Sequence, residues 1–314
     1  MKMKSIVAAT ALSSFSLLGC LQPQDQHPVA DAIPRAEQVR IDLPADGARE
    51  IGQLAPWYGV TRGVTLTLNG GTAWVLVLVH LIVQQPPTSV RENTATWGPG
   101  SDPLDPANYR LDVTNLGNGT YDWELSADSK SDLGETWEVL IAGNAAPGAR
   151  DGEGSGDFSI DFDAIRRVDP FSGEDARGVV SVNYDLDRRH LDMAISTVED
   201  RAGTPTPVFY DYTYDEAADR SGNMTFAIHA DSDDAGTLAE DAELRSRWKA
   251  TGAGRADLRL SGGDLQGLQV SAVECWDTAF RRVYYTDSVQ WQPTEGNAAD
   301  CAYTDVSLPP SQGQ

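Results

Sequence analysis

Histidine, cysteine and basic residues are all scarce in this chain, and each shortage closes off chemistry. Four histidines in 314 residues provide no HExxH and no paired-histidine spacing, which excludes the usual zinc hydrolases. Serines abound, but no GxSxG elbow holds one, and no GxxxxGK[ST] loop is present to cradle phosphate. Lys and Arg total 24 against 47 Asp and Glu, a formal charge of −23. Such a surface excludes nucleic acid as a partner, because phosphates need Lys and Arg. It also excludes electrostatic docking on anionic lipid. The longest leading apolar run, Ile6 to Leu18, falls short of the about 20 residues that cross a bilayer.

That run has its own meaning. Lys2 and Lys4 precede it and small Gly19 ends it just before Cys20, the plan of a secretory signal over residues 1–19. Leu17, Leu18, Gly19 and Cys20 resemble the lipobox of bacterial lipoproteins. The resemblance implies a diacylated Cys20 that is cut free and acylated again on its new amino terminus, a durable membrane anchor. With Leu21 rather than Asp after the cysteine, the same resemblance implies the outer membrane. Residues 20–50, including LQPQDQHPVADAIPRAEQ, are polar and without period, and they read as a tether. Only Cys275 and Cys301 remain to pair in an oxidising compartment, and a disulfide is expected between them.

The folded part is expected to be a single β-rich domain over residues 51–314, opened by an apolar segment over about 57–83. In VTLTLNGGTAWVLVLVHLIV, Val64, Leu66 and Leu68 alternate before an Asn-Gly-Gly turn as a hairpin would. Val60, Val64, Leu68, Gly71, Val75, Leu78 and Ile82 equally recur at helical spacing and stop at Pro86-Pro87, and the helix is preferred. From Tyr109 onward the chain is a series of short alternating runs: Tyr109, Leu111, Val113; Tyr121, Trp123, Leu125; Trp137, Val139, Ile141; Phe158, Ile160, Phe162. Later runs continue through Val180 to Tyr184, Leu191 to Ile195, Val208 to Tyr214, Met224 to Ile228, Leu258 to Ala272, and Val283 to Trp291. AGNAAPGARDGEGSG is expected to be a loop, and LGNG and TGAGRAD tight turns. Alternation of this kind predicts a mainly β fold, a large curved antiparallel sheet or up-and-down barrel with the apolar helix packed against or inside it. Tandem β-sandwiches are the alternative.

This arrangement is similar in architecture to the carriers of lipidated proteins and of lipids in the Gram-negative envelope. Three segments, ATWGPGSDPLDPANYRLDVT, SRWKATGAGRADLRLSGGDL and SAVECWDTAFRRVYYTDS, resemble recurring blocks of a set of uncharacterised envelope lipoproteins, a likeness that implies location and no activity. No cofactor is implied and no catalytic residue is assigned. Asp231, Asp233 and Asp234 open DSDDAGTLAEDAE like a calcium loop, but position five is Ala235 and position twelve Ala242, so an acidic loop with at most weak calcium affinity is expected. His190 and His229 are expected at strand ends and His80 in the apolar run. The preferred reading is a lipid-anchored envelope module that is structural or binding and not enzymatic. Alternatives are a carrier holding lipid or another apolar ligand in the hollow of the sheet, and a hydrolase of envelope polysaccharide or lipid, since 47 acidic residues leave carboxylate pairs open.

Overall fold

The structure is a computed structural model that describes residues 54–65, 82–83, 85–131, 136–150, 153–171, 176–201, 204–231, 238–305 and 308. Cys20, His80, Asp233, Asp234 and the stretch 66–81 lie outside these residues, and with them the choice between helix and hairpin across Asn69-Gly70-Gly71. The chain is mainly β and divides into two compact units, the first containing residues 67–187 and the second residues 41–66 together with 188–314.

Unit 1 is an antiparallel meander of seven strands, each paired with its neighbours in sequence: β1 (Ser89–Arg91), β2 (Thr94–Gly100), β3 (Ala107–Asn115), β4 (Tyr121–Ser129), β5 (Glu138–Pro147), β6 (Gly154–Asp161) and β7 (Val179–Asp185). Between β6 and β7 lies a short helix, α2 (Phe162–Val168). The inner face follows the period-two pattern, burying Leu111, Val113, Trp123, Leu125, Ile141, Phe158, Ile160 and Val182. Trp123 faces Gly143 across β4 and β5, and Phe158 faces Gly143 from β6. A Cβ on Gly143 would meet Trp123 Cζ2 at 2.9 Å and the Asp157 carbonyl oxygen at 2.3 Å, so the glycine makes room for both rings.

Three expectations need correction here. The run Trp137, Val139, Ile141 does not keep phase: a bulge opposite Leu125 and Ser126 shifts the register, so Leu140 and Ile141 are both buried and Val139 is exposed. Within the glycine-rich stretch 142–156, residues 142–147 and 154–156 are strand and not loop; Gly143 and Gly156 are there for neighbouring rings, not for flexibility. Phe162 begins a helix instead of ending a strand, because Asp161 caps it by accepting the Ala164 N–H at 2.8 Å.

Unit 2 is a second antiparallel meander: β8 (His190–Arg201), β9 (Thr204–Glu216), β10 (Gly222–Ala230), β11 (Glu240–Trp248), β12 (Gly254–Gly262), β13 (Val270–Trp276), β14 (Arg282–Asp287) and β15 (Glu295–Gly296). Residues 56–65 form a helix, α1. Hairpin turns fall at LGNG in unit 1 and at TGAGRAD in unit 2, as the sequence predicts, and also at EAADRSGN in unit 2: Leu116 N–H bonds to the Thr120 carbonyl, Lys249 N–H to Ala253 and Ala217 N–H to Ser221. Val289 and Trp291 do not finish the last long strand. β14 stops at Asp287, and both side chains are exposed beyond it.

Neither unit is a closed barrel. Among the described residues β1 does not pair with β7, nor β8 with β15, and the terminal strands β1 and β15 have three and two residues, too short to close a sheet. In each unit the strands follow one another in sequence order within one antiparallel sheet, as the large-sheet expectation has it, and the tandem β-sandwiches are set aside with the barrel.

Candidate functional site

The most constrained chemistry lies beneath α1 in unit 2. Strand register places Leu191, Tyr214, Met224, Ser246, Ala256, Glu274 and Tyr285 in one row across seven strands on one face. Every one of them is buried. The helix follows this row. Trp57 N–H donates to Glu274 Oε1 at 2.7 Å, Thr61 Oγ1 lies 2.6 Å from Ser246 Oγ, and Thr65 Oγ1 reaches Met224 Sδ at 3.8 Å. The three contacts step by four residues along the helix, about 12 Å in all at 1.5 Å per residue. From β13 to β10 is three strand spacings, about 14 Å. The periods match closely enough for the helix to lie across the strands, touching them in turn.

The side chains explain why a polar helix face can be buried there. Thr61 Oγ1 donates back to the Trp57 carbonyl at 2.7 Å and Thr65 Oγ1 to the Thr61 carbonyl at 2.9 Å, which satisfies both hydroxyls within the helix. Since Thr61 has one proton and spends it on Trp57, Ser246 is the donor in their pair. Ser246 and Ala256 are small, and the space above them admits the helix backbone. Tyr58 fills the end of the row, stacked on Phe280 with centroids 4.3 Å apart and tilted to Trp276 at 5.7 Å. Ala55 N–H bonds to the Phe280 carbonyl at 3.0 Å, and Leu54 bridges to Arg281, fixing where the chain enters.

Glu274 is wholly buried and holds two partners, the first turn of α1 and Arg282, whose Nε lies 2.8 Å from Oε2. It caps the helix from a strand 217 residues away. Burial pushes its pKa up, partly countered by the N–H groups of Trp57 and Tyr58 and by Arg282, and the net shift is upward. Both oxygens are engaged, so the group holds the helix and is not presented to a substrate.

The opposite face carries a second buried charge group. Arg247 and Arg255 pair across β11 and β12, and Asp257 accepts Arg255 Nε at 2.9 and 3.0 Å and Nη2 at 2.7 Å. Residues 301–305 cross this group. Cys301 is bonded to Cys275, as expected, with a Cα separation of 5.4 Å. Arg255 Nη1 donates to the Tyr303 carbonyl at 3.2 Å. Arg247 donates to the Asp305 carboxylate at 2.8 Å and to its carbonyl at 2.6 Å, with its guanidinium 4.8 Å over the Tyr303 ring.

His190 and His229 are indeed at strand ends. His190 Nδ1 lies 2.7 Å from Asp215 and Nε2 2.9 Å from Asp192, while Asn223 and Thr213 hold those carboxylates. Burial lowers its pKa, the hydrogen bonds to Asp215 and Asp192 raise it, and the balance is upward. With both nitrogens spent on carboxylates, the ring has no lone pair with which to take a proton from a substrate. His229 pairs with Asp241 at 2.7 Å. Asp231 is half-buried, and no cluster of three or more His, Cys, Asp or Glu able to hold a metal occurs among the described residues.

Sequence reasoning missed Glu274, the Arg247–Arg255–Asp257 group, and strands β1, β2 and β11. β11, EDAELRSRW, hides because Ser246 and Trp248 are its inward residues beside two arginines; the alternation is present, but the small inward serine does not read as core. No family model, curated protein or solved structure matches this chain. No described helix is long and apolar enough to cross a membrane.

Proposed function

We propose that the protein is a lipid-anchored envelope lipoprotein whose sheet units act as a structural or binding module and not as an enzyme. The observation that carries this reading is the docking of α1 over Glu274, Ser246 and Met224 of the row, where a ligand-carrying sheet would keep an open apolar face. The two buried acids with the most elaborate surroundings, Glu274 and Asp257, are each committed to an arginine. That supports a mechanical role for them over a hydrolytic one. The anchor is Cys20, acylated after removal of residues 1–19, with residues 20–50 as tether and the outer membrane as location.

A second reading keeps one specific observation. Tyr210, Phe226 and Ile228 lie on the same face as α1 but are only partly buried, and Tyr210 and Phe226 stack with centroids 5.9 Å apart. An apolar ligand would find its contacts there. Native extraction from membranes followed by mass spectrometry separates the two. A triacylated chain beginning at Cys20 with no co-purifying small molecule is expected. A lipid retained in equal molar amount would make the protein a carrier, and a Cys20→Ser chain that still sediments wholly with membranes would remove the anchor.

A further inference from the structure

The two ends of the unit 2 sheet differ in surface chemistry. At the end formed by the turns after β9, β11 and β13 stand Asp219, Arg220, Lys249, Asp277 and Arg281, and the large apolar residue there, Phe280, is only 5% exposed. The other end has charges of its own, Arg201, Asp231, Asp264 and Asp287, but there Leu238, Leu268, Val289 and Trp291 are 57%, 68%, 45% and 55% exposed. These four come from three loops that are tied together. Leu238 N–H donates to Asp264 at 3.1 Å, Asp264 N–H donates to Glu240 at 3.1 Å, and Ser271 and Ser288 exchange bonds at 2.9 and 3.0 Å.

The loop that bears Val289 and Trp291 is held from within. One carboxylate, that of Asp287, accepts the N–H groups of Val289 at 3.0 Å, Trp291 at 3.0 Å and Gln292 at 3.1 Å, along with the Tyr285 hydroxyl at 3.0 Å. The apolar tips are therefore presented by an ordered loop, which lowers the entropy cost of binding through them. Residues 265–271 and 288–294 contain no charged side chain, in a chain with 24 basic and 47 acidic residues.

We propose that this rim is a second membrane contact, which sets Leu268, Val289 and Trp291 into the headgroup region of a zwitterionic lipid surface. It rests on the lipid-anchored reading above. Tryptophan and leucine on a neutral loop suit the interface, where an amphipathic ring sits at headgroup level. Neither of these two loops carries Lys or Arg, and Asp264 and Asp287 flank them, which points to zwitterionic over anionic lipid. A few loop-tip side chains fall well short of the about 800 Å² per partner of a stable protein interface. They suffice for a chain already tethered by acyl groups, since tethering makes the second contact intramolecular at an effective concentration on the order of millimolar.

The test uses the full acylated chain in phosphatidylcholine vesicles whose acyl chains are brominated near the headgroup, with tryptophan fluorescence as readout. The chain floats with the vesicles, and its emission is quenched. In Trp291→Phe the quenched component falls at least threefold while flotation is unchanged, and Leu268→Ser combined with Val289→Ser reduces it similarly with Trp291 in place. Equal quenching of wild type and Trp291→Phe in floating vesicles overturns the second contact and leaves the anchor intact. A chain that does not float overturns the anchored reading and this inference together. A photo-crosslinker at position 291 that captures a protein in place of lipid also overturns it.

Discussion

In unit 1 the inner face is filled by Leu111, Trp123, Leu125, Phe158 and Ile160, none more than 2% exposed; in unit 2 the row under α1 includes Ser246, Ala256 and Glu274, buried to the same degree. On this face unit 1 excludes water by apolar volume. Unit 2 leaves a trough of small side chains and closes it with a helix held by hydrogen bonds, adding a disulfide and a buried arginine group on the far side. A volume-filled face tolerates repacking among apolar residues of like size. A face closed through directed bonds fixes the position of one segment and loses it when a single partner is removed.

The largest test of that contrast is Glu274→Ala. It leaves the first turn of α1 without its acceptor and takes away the buried partner of Arg282, whose guanidinium keeps only Gln292 and Glu295 at the surface, and unit 2 should lose about 3 to 5 kcal/mol. Glu274→Gln keeps an acceptor for Trp57 and should lose less, about 1 to 3 kcal/mol. Urea unfolding followed by hydrogen exchange reports each unit separately, and unit 1 amides should not move. Equal loss in both units would show that the units do not unfold independently.

Next comes the disulfide. Cys275 and Cys301 enclose a separation of 26 residues, and the loop-entropy relation gives about 3.5 kcal/mol for a closure of that length. Cys301→Ser with Cys275→Ser should lower the stability of unit 2 by that order, and again leave unit 1 unchanged. A loss under 1 kcal/mol would mean that the unfolded chain already keeps these two segments near one another, so that the crosslink removes little of its entropy.

A smaller effect sharpens the comparison by looking for what the units share. Gly254 lies under the Trp276 ring as Gly143 lies under Trp123: an added Cβ would come within 2.4 Å of Trp276 Cζ2 and 2.9 Å of Trp123 Cζ2. Both tryptophans are buried and cannot swing away. Gly254→Ala and Gly143→Ala should each cost about 1 to 3 kcal/mol, by overpacking, in its own unit. If only one does, the glycine and ring pairing is not a common device.

These glycines also show how far the sequence could be read. Period-two alternation identified most strands of both units, because one wet and one dry face is a local property that each strand carries by itself. Residues 142–156 misled because glycine signals a turn by its own conformational freedom, whereas here Gly143 and Gly156 answer to Trp123 and Tyr184 on neighbouring strands. The bulge at Leu125 and Ser126 shifted the phase of Val139 and Ile141 without a Gly or Pro to announce it. Among 47 acidic residues nothing local distinguishes Glu274; its meaning lies in a backbone N–H at Trp57. Asp161, by contrast, was legible in principle, since Asp immediately before a helical turn is a cap signal.

The smallest effect concerns pH, and it divides unit 2 within itself. Arg247, by hydrogen bond and by charge, holds the Asp305 carboxyl below its ordinary value. A depressed acid contributes stability above its unfolded pKa, about 3.9, and loses it as pH falls through the folded value. Glu274 has the opposite sign: burial raises its pKa, so its contribution is fully present below the unfolded value, about 4.3, and is lost as pH rises through the folded one. Acidification should therefore loosen residues 303–305 while α1 keeps its place. Backbone NMR shifts of Tyr303 and Asp305 should move toward unfolded-chain values at acid pH, while amide protection at Thr61 and Thr65, corrected for intrinsic rates, is held or increased. In Glu274→Gln the α1 amides should lose their pH dependence and Asp305 should keep its own. If α1 and residues 303–305 loosen together, one cooperative acid transition governs unit 2, and the two faces of its sheet are not separately held.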